Sequence, residues 1–272
     1  MRPIVRTLGR IATPLARGMR TLTPARLTVV GWHRIGDADD GLTTRPEDFK
    51  HHLDVLEAWG AQPLRLDEAA RLLDAGELPD RAVVLTFDDG YASVLETAWP
   101  ELQRRGMPAT LYAVSGYLHG DRTFPWDAHL PADSPLRRLV TADELRDAAD
   151  SGLDIGSHTV SHRWLPSLSP SCVAEEVGAS RRSLEDLLQR PVTSFAYPMG
   201  GWTPAIRDQV EAAGYDLAIT VDRGRNPGDQ DRHALRRAFA FDRPDDVLRQ
   251  LEGGFTWVRP LERRRSRREP TW

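Results

Sequence analysis

Asp88 and Asp89 stand side by side at the end of the apolar run "AVVLTF", with Gly90 behind them. Two adjacent carboxylates repel each other unless a cation sits beside them. A second pair of candidate residues lies further on: His158 and His162, in "HTVSH". That spacing places two imidazoles on one side of a helical turn, a usual way to hold a divalent metal. No Glu stands between them, so the HExxH protease pattern is excluded. Two histidines need a third ligand, and a carboxylate from another strand end supplies it while leaving positions open for water and substrate. One aspartate then binds the metal, and the other is free to act as a base toward water. Alone, "DDG" is more often a solvated turn and H-x3-H more often a coincidence. Their shared position after strong strands favours chemistry.

The surrounding elements must gather these groups. "LTVVGWH", "AVVLTF", "ATLYAV", "LDIGSH", "VTSFAYP", "DLAITV" and "ALRRAFAF" read as strands. Helices fall between them, such as "PEDFKHHLDVLEAWG", whose Phe49, Leu53, Leu56 and Trp59 keep helical spacing before Gly60. Pro100 should start or kink the second part of the helix "ASVLETAWPELQRRG". Thr141 and Glu144 form a capping box. The stretch 117–140 has no period and reads as a long loop, a kind that often carries function. Strands alternating with helices mean parallel strands with crossovers, and this many units favour a barrel over an open sheet. In such a fold the loops at the carboxyl ends of strands hold the site. Those ends carry Asp88-Asp89, His158, "YPMGG" and His33.

The chain has 272 residues and 40% hydrophobic content, enough for one large domain with its own core. A net charge of -4 argues against a nucleic-acid partner. Cys172 is the one cysteine, so no intrachain disulfide forms, and its helical setting suggests an inert thiol. No run is long and apolar enough for a spanning helix. Residues 1–26 form a basic extension without a secretory signal pattern; they read as a surface helix, with peripheral contact to an acidic membrane as the alternative. Residues 256–272 read as a basic, disordered tail. The expected compartment is the cytoplasm or the cytoplasmic membrane face. "GDADDG" (36–41) lacks the closing Glu of a calcium loop and reads as a turn, while His51 and His52 read as surface residues of a helix.

"TFDDGY", "SHTVSH" and "FAYPMGG" resemble the successive motifs of the polysaccharide deacetylase family, also called the NodB-homology family or carbohydrate esterase family 4. The resemblance covers residues 27–255 and implies a single-domain distorted (β/α)7 barrel. It implies Asp88 as general base, and Asp89, His158 and His162 as ligands of a divalent metal, commonly zinc. It also implies the backbone N–H of Tyr197 in the oxyanion hole. The implied reaction is removal of an N-acetyl group from a sugar in a glycan or glycan precursor. A non-sugar amide substrate and an inactive glycan-binding module are the alternatives. The family's arginine three residues before the Tyr is replaced by Ser194, so Arg237 becomes the candidate to orient Asp88. The residue after His162 is Arg163 where the family commonly has Pro, a change confined to the loop.

The family's late histidine, its general acid, is missing. "VVGWHRI" resembles the opening motif of a branch similar to poly-N-acetylglucosamine deacetylases, which supplies that histidine early. An amine is expelled only when protonated, so an acid must stand across the site from Asp88. His33 is the histidine that follows a core strand, and a nearby carboxylate should raise its pKa. His119, His129 and His233 are the remaining candidates.

Overall fold

The computed structural model describes residues 25–120, 122–239 and 244–254, together with Thr13 and Glu269. The basic extension and the basic tail expected at the two ends lie, apart from residues 13, 25, 26 and 269, outside the described residues. Among the described residues no helix is long and apolar enough to cross a membrane.

The strands are β1 (Thr28–Trp32), β2 (Arg34–Ile35), β3 (Thr43–Thr44), β4 (Gln62–Pro63), β5 (Ala82–Phe87), β6 (Ala109–Ala113), β7 (Asp154–Ser157), β8 (Ser194–Ala196), β9 (Leu217–Ile219) and β10 (Ala238–Phe239). The helices are α1 (Pro46–Trp59), α2 (Leu66–Ala75), α3 (Trp99–Arg104), α4 (Ala142–Asp150), α5 (Pro170–Leu188), α6 (Pro204–Ala212) and α7 (Pro244–Leu251). The main sheet runs β10-β1-β5-β6-β7-β8-β9, every pair parallel, and curls into a half-barrel with helices around it. The expected strand "ALRRAFAF" forms only in pieces. Leu235 pairs with Ile219 at one edge, and Ala238 and Phe239 pair with Val30 and Gly31 at the other. One interrupted segment thus reaches both edges of the curled sheet, which is the distortion of the barrel.

Period-two alternation divides the sheet into two cores. Val83, Leu85 and Phe87 face the layer holding Phe49, Leu53, Leu145, Val177 and Val210 of the outer helices. Ala82 and Val84 face the other side, with Val29, Tyr112, Ile219, Leu235 and the apolar face of α2. Thr86 and Asp88 continue this second, inward set. Gly31 also belongs to it; a Cβ there would lie 3.1 Å from Arg237 Cδ, so glycine leaves room for that side chain.

Local expectations meet the structure unevenly. The capping box of α4 forms with both hydrogen bonds, and Gly60 ends α1 in the left-handed region (φ 76). Pro100 sits in the first turn of α3, directly after a π-helical turn at Val94–Ala98; proline lacks the N–H needed to continue an α-helical ladder through that point. His51 is exposed, but His52 is not a surface residue. Its ring is buried beneath Trp32, whose indole N–H donates to His52 Nδ1 (3.2 Å), and burial pushes its pKa down to about 4.

Candidate active site

The site lies where β1, β5, β7 and β8 end. Asp88 N–H donates to Trp32 O (3.0 Å) and His158 N–H to Ala113 O (2.9 Å), so each begins one step past a strand with its ladder intact. Asp89 then adopts φ 73 and Gly90 φ 80. The 158–162 segment is a bend, not the helical turn the spacing suggested: Thr159 (φ 70) and His162 (φ 55) are both left-handed. Non-glycine residues cost about 1–3 kcal/mol each in such geometry and persist where surrounding contacts hold them. Here Glu176 of α5 holds the bend, accepting from Val160 N–H (3.0 Å), Ser161 N–H (2.9 Å) and the Ser161 hydroxyl.

Asp89, His158 and His162 are buried, and one donor atom from each lies within 4.8 Å of the others. Asp89 Oδ1 is 3.2 Å from His162 Nε2 and 3.6 Å from His158 Nε2. His158 Nδ1 donates to Ala196 O (2.7 Å), which leaves its Nε2 lone pair for a cation, and burial lowers its pKa to about 4. Burial opposes ionisation of Asp89, but the hydrogen bond and charge of His162 outweigh it and hold the carboxyl well below its usual range. A carboxylate and two imidazoles converging on one point is a donor set suited to a divalent metal.

Asp88 is paired differently. Arg237 grips both of its oxygens, from NH1 (2.6 Å) and NH2 (2.5 Å), and also donates to Thr86 Oγ1 (3.2 Å). Its guanidinium lies over the rings of Phe239 (4.6 Å) and Tyr112 (5.9 Å). Burial raises the Asp88 pKa, but the charges of Arg237 and His158 and the Arg237 hydrogen bonds pull it below the ordinary value. Arg237→Met should strand this buried carboxylate and cost about 3–5 kcal/mol of stability. Arg237→Lys, which keeps the charge without the two-pronged grip, should lose distinctly less. Urea unfolding of both variants measures the difference.

His33 lines the same cleft, stacked on Phe239 (centroids 4.6 Å apart, planes 14°). Asp89 and Asp88 do raise its pKa as expected, but burial is the larger effect and the net direction is downward. The other histidine candidates lie elsewhere: His119 and His129 are exposed, and His233 is buried with Nε2 against Tyr215 O (2.8 Å). Cys172 and Arg163 are exposed.

Tyr197 does not have the backbone donor expected of it. Its N–H continues the β8 ladder to Ile219 O (3.1 Å), and its hydroxyl donates to His233 O (2.9 Å). The residue of "YPMGG" that reaches the cleft is Met199, again in left-handed geometry (φ 55). The cleft is about 170 Å³ in volume; Leu42, Trp126, Met199, Val221 and Phe239 line it around the ionisable groups. Trp126, Leu42 and Val221 escaped the sequence reading, the first despite its place in a loop marked as functional.

The sequence profile of the family described as polysaccharide deacetylase matches residues 75–218, more than half of the chain. A Bacillus subtilis (strain 168) protein, YxkH, named as a polysaccharide deacetylase, is 28% identical over 223 residues, covering 80% of this chain and 73% of its own. The poly-β-1,6-N-acetyl-D-glucosamine N-deacetylase of Staphylococcus epidermidis is 25% identical over 219 residues, 77% of this chain and 72% of that one. Among solved structures, the Streptococcus pyogenes deacetylase PplD in complex with acetate superposes with a TM-score of 0.72 at 22% identity, over 84% of this chain and 99% of that one. IcaB from Ammonifex degensii gives 0.72 at 24%, over 85% and 97%. The two structures share the fold, and the profile spans both the aspartate pair and the histidine pair: the chain belongs to the polysaccharide deacetylase family.

Proposed function

We propose that the protein is a metal-dependent hydrolase that removes N-acetyl groups from an N-acetylated sugar in a glycan or glycan precursor, with zinc as its metal. The observation that carries this reading is the separation of roles between adjacent carboxylates. Asp89 faces the imidazoles of His158 and His162, while Asp88 is gripped by Arg237. A metal ion held by Asp89, His158 and His162 would polarise the acetyl carbonyl and make a water more acidic.

Asp88 takes the proton from the attacking water, and Arg237 fixes the carboxylate in line and keeps it ionised. Negative charge developing on the acetyl oxygen is met at the Pro198–Gly200 turn, where Met199 replaces Tyr197 as the candidate backbone donor. His33 gives a proton to the departing amine. Burial favours the neutral ring in the resting site; as negative charge builds on the acetyl carbon's oxygen, His33 binds a proton from solvent and passes it to the amine nitrogen as the C–N bond breaks. The named activity of the Staphylococcus epidermidis relative supports N-acetylglucosamine units as substrate.

The test is acetate release from N-acetylglucosamine oligomers by zinc-loaded protein, with and without a chelator. Ring opening of a cyclic amide without acetate release would move the reading to a non-sugar amidohydrolase. Sugar binding with neither reaction would make the domain a binding module. His33→Ala should keep its zinc and its fold and lose about 10²-fold in kcat, the lower end for a positioned proton donor. Unchanged turnover in that zinc-replete variant would remove His33 from the mechanism.

A further inference from the structure

We propose that Arg34 is a positioning residue for substrate binding: its buried guanidinium ties two irregular loops together and so fixes the shape of the cleft between them. The proposal rests on the deacetylase reading and adds the residue that sets its substrate contact. Leu42 of the first loop and Trp126 of the second both line the cleft. Arg34 bonds to residues beside each of them. Its Nη2 donates to Asp40 and its Nε to Thr43 Oγ1 (2.7 Å), on either side of Leu42. Its Nη1 donates to Asp127 Oδ1 (2.5 Å), next to Trp126, and to Leu136 O (3.3 Å).

Each carboxylate passes the restraint on. Asp40 Oδ1 accepts from Leu42 N–H (3.0 Å) and Thr43 N–H (2.9 Å), which fixes the backbone at Leu42. Asp127 Oδ2 accepts from the Tyr91 hydroxyl (2.8 Å), and that hydroxyl accepts from the Trp126 indole N–H (3.0 Å). At the surface His129 spans the same two loops, with Nδ1 2.8 Å from Trp126 O and Nε2 3.3 Å from Asp40 Oδ2. The loops need such ties. Among the described residues, the chain between β6 and α4 forms only short 3-10 turns. Arg34 and Asp127 are both fully shut away from solvent. For stability alone, well-packed apolar side chains often serve as well as a buried ion pair. What a guanidinium adds is direction, because its N–H groups lie in one rigid plane and can fix two acceptors at set angles. The reacting groups have anchors of their own. Asp88 is gripped by Arg237, the His158–His162 bend is held by Glu176, and His33 stacks on Phe239. Loosening Arg34 therefore shifts the cleft wall more than the chemistry.

The experiment compares zinc-loaded wild type with Arg34→Lys, which keeps the charge but not the planar fork. On an N-acetylglucosamine oligomer, KM should rise roughly tenfold and kcat should change less than KM, the signature of lost binding and not of lost chemistry. An unchanged KM in folded, zinc-replete protein would leave Arg34 with a purely structural role. A loss in kcat larger than the rise in KM would place its effect on the reacting groups. Either result overturns the proposal. Hydrogen exchange gives a readout that does not use turnover: amides of 36–43 and 124–138 should exchange faster together in the variant, with 154–158 unchanged. Any other pattern overturns the proposal as well. If Arg34→Lys does not fold, Asp40→Asn decides by the same KM and kcat measurement. It removes the charge that Arg34 Nη2 meets while its Oδ1 still accepts from Leu42 and Thr43. Failure of the deacetylase reading looks different: wild type itself then releases no acetate from any oligomer, and the proposal falls with that reading.

Discussion

Asp88→Asn protein is expected to hold its full complement of zinc and to turn over substrate about 10²-fold to 10⁴-fold more slowly than wild type. Asp88 Oδ2 lies 4.0 Å from His158 Nε2, against 3.2 and 3.6 Å from Asp89 to the two histidines. Removing the Asp88 charge therefore leaves the candidate metal ligands in place. What it removes is the basic oxygen that accepts the proton of water. An asparagine also offers Arg237 one acceptor oxygen where the carboxylate offered two, so the side chain is held less firmly. Zinc content by elemental analysis and kcat on the oligomer check the two halves of this expectation separately. If Asp88→Asn lost its metal while Asp89→Asn retained it, the two aspartates would exchange roles.

The identity of these residues was legible in the sequence; the way they meet was not. The apolar run "AVVLTF" marks β5, and its period-two alternation places Asp88 on the inward side with Val84 and Thr86. The same alternation sends Asp89 to the opposite side. It returns to the cleft through its left-handed backbone, a conformation that aspartate adopts more readily than most residues but that its presence alone does not announce. The H-x3-H spacing suggested a helical turn for the same reason: the left-handed Thr159 and His162, and the anchoring by Glu176 sixteen residues from Val160, are set by tertiary contacts. Tyr197 failed by where its strand stops. The β8 ladder runs one residue past the strand, taking the N–H that was expected to be free. Arg237 was readable only as a candidate, since its strand is broken and lends no alternation to separate it from Arg236. The Arg34–Asp127–Tyr91–Trp126 chain joins β2 to an aperiodic loop some ninety residues away, and no local pattern encodes such a link.

His158→Ala should abolish metal binding and activity together. In wild type the folded chain brings three donors to one point and fixes the His158 tautomer through the Ala196 carbonyl. The variant retains Asp89 and His162, and two protein ligands hold a divalent ion far more weakly than three. Turnover should fall by more than about 10³-fold, beyond the loss of a single proton acceptor, because both carbonyl polarisation and water activation depend on the ion. Stability supplies a readout independent of turnover. A ligand bound only by the folded state raises its stability in proportion to the logarithm of ligand concentration over Kd. A chelator should therefore lower the Tm of wild type, and added zinc should restore it. In His158→Ala protein neither addition should move the Tm. Elemental analysis of the purified variant gives the direct check. Full zinc occupancy there would falsify the assignment of His158 and place the ion elsewhere in the chain.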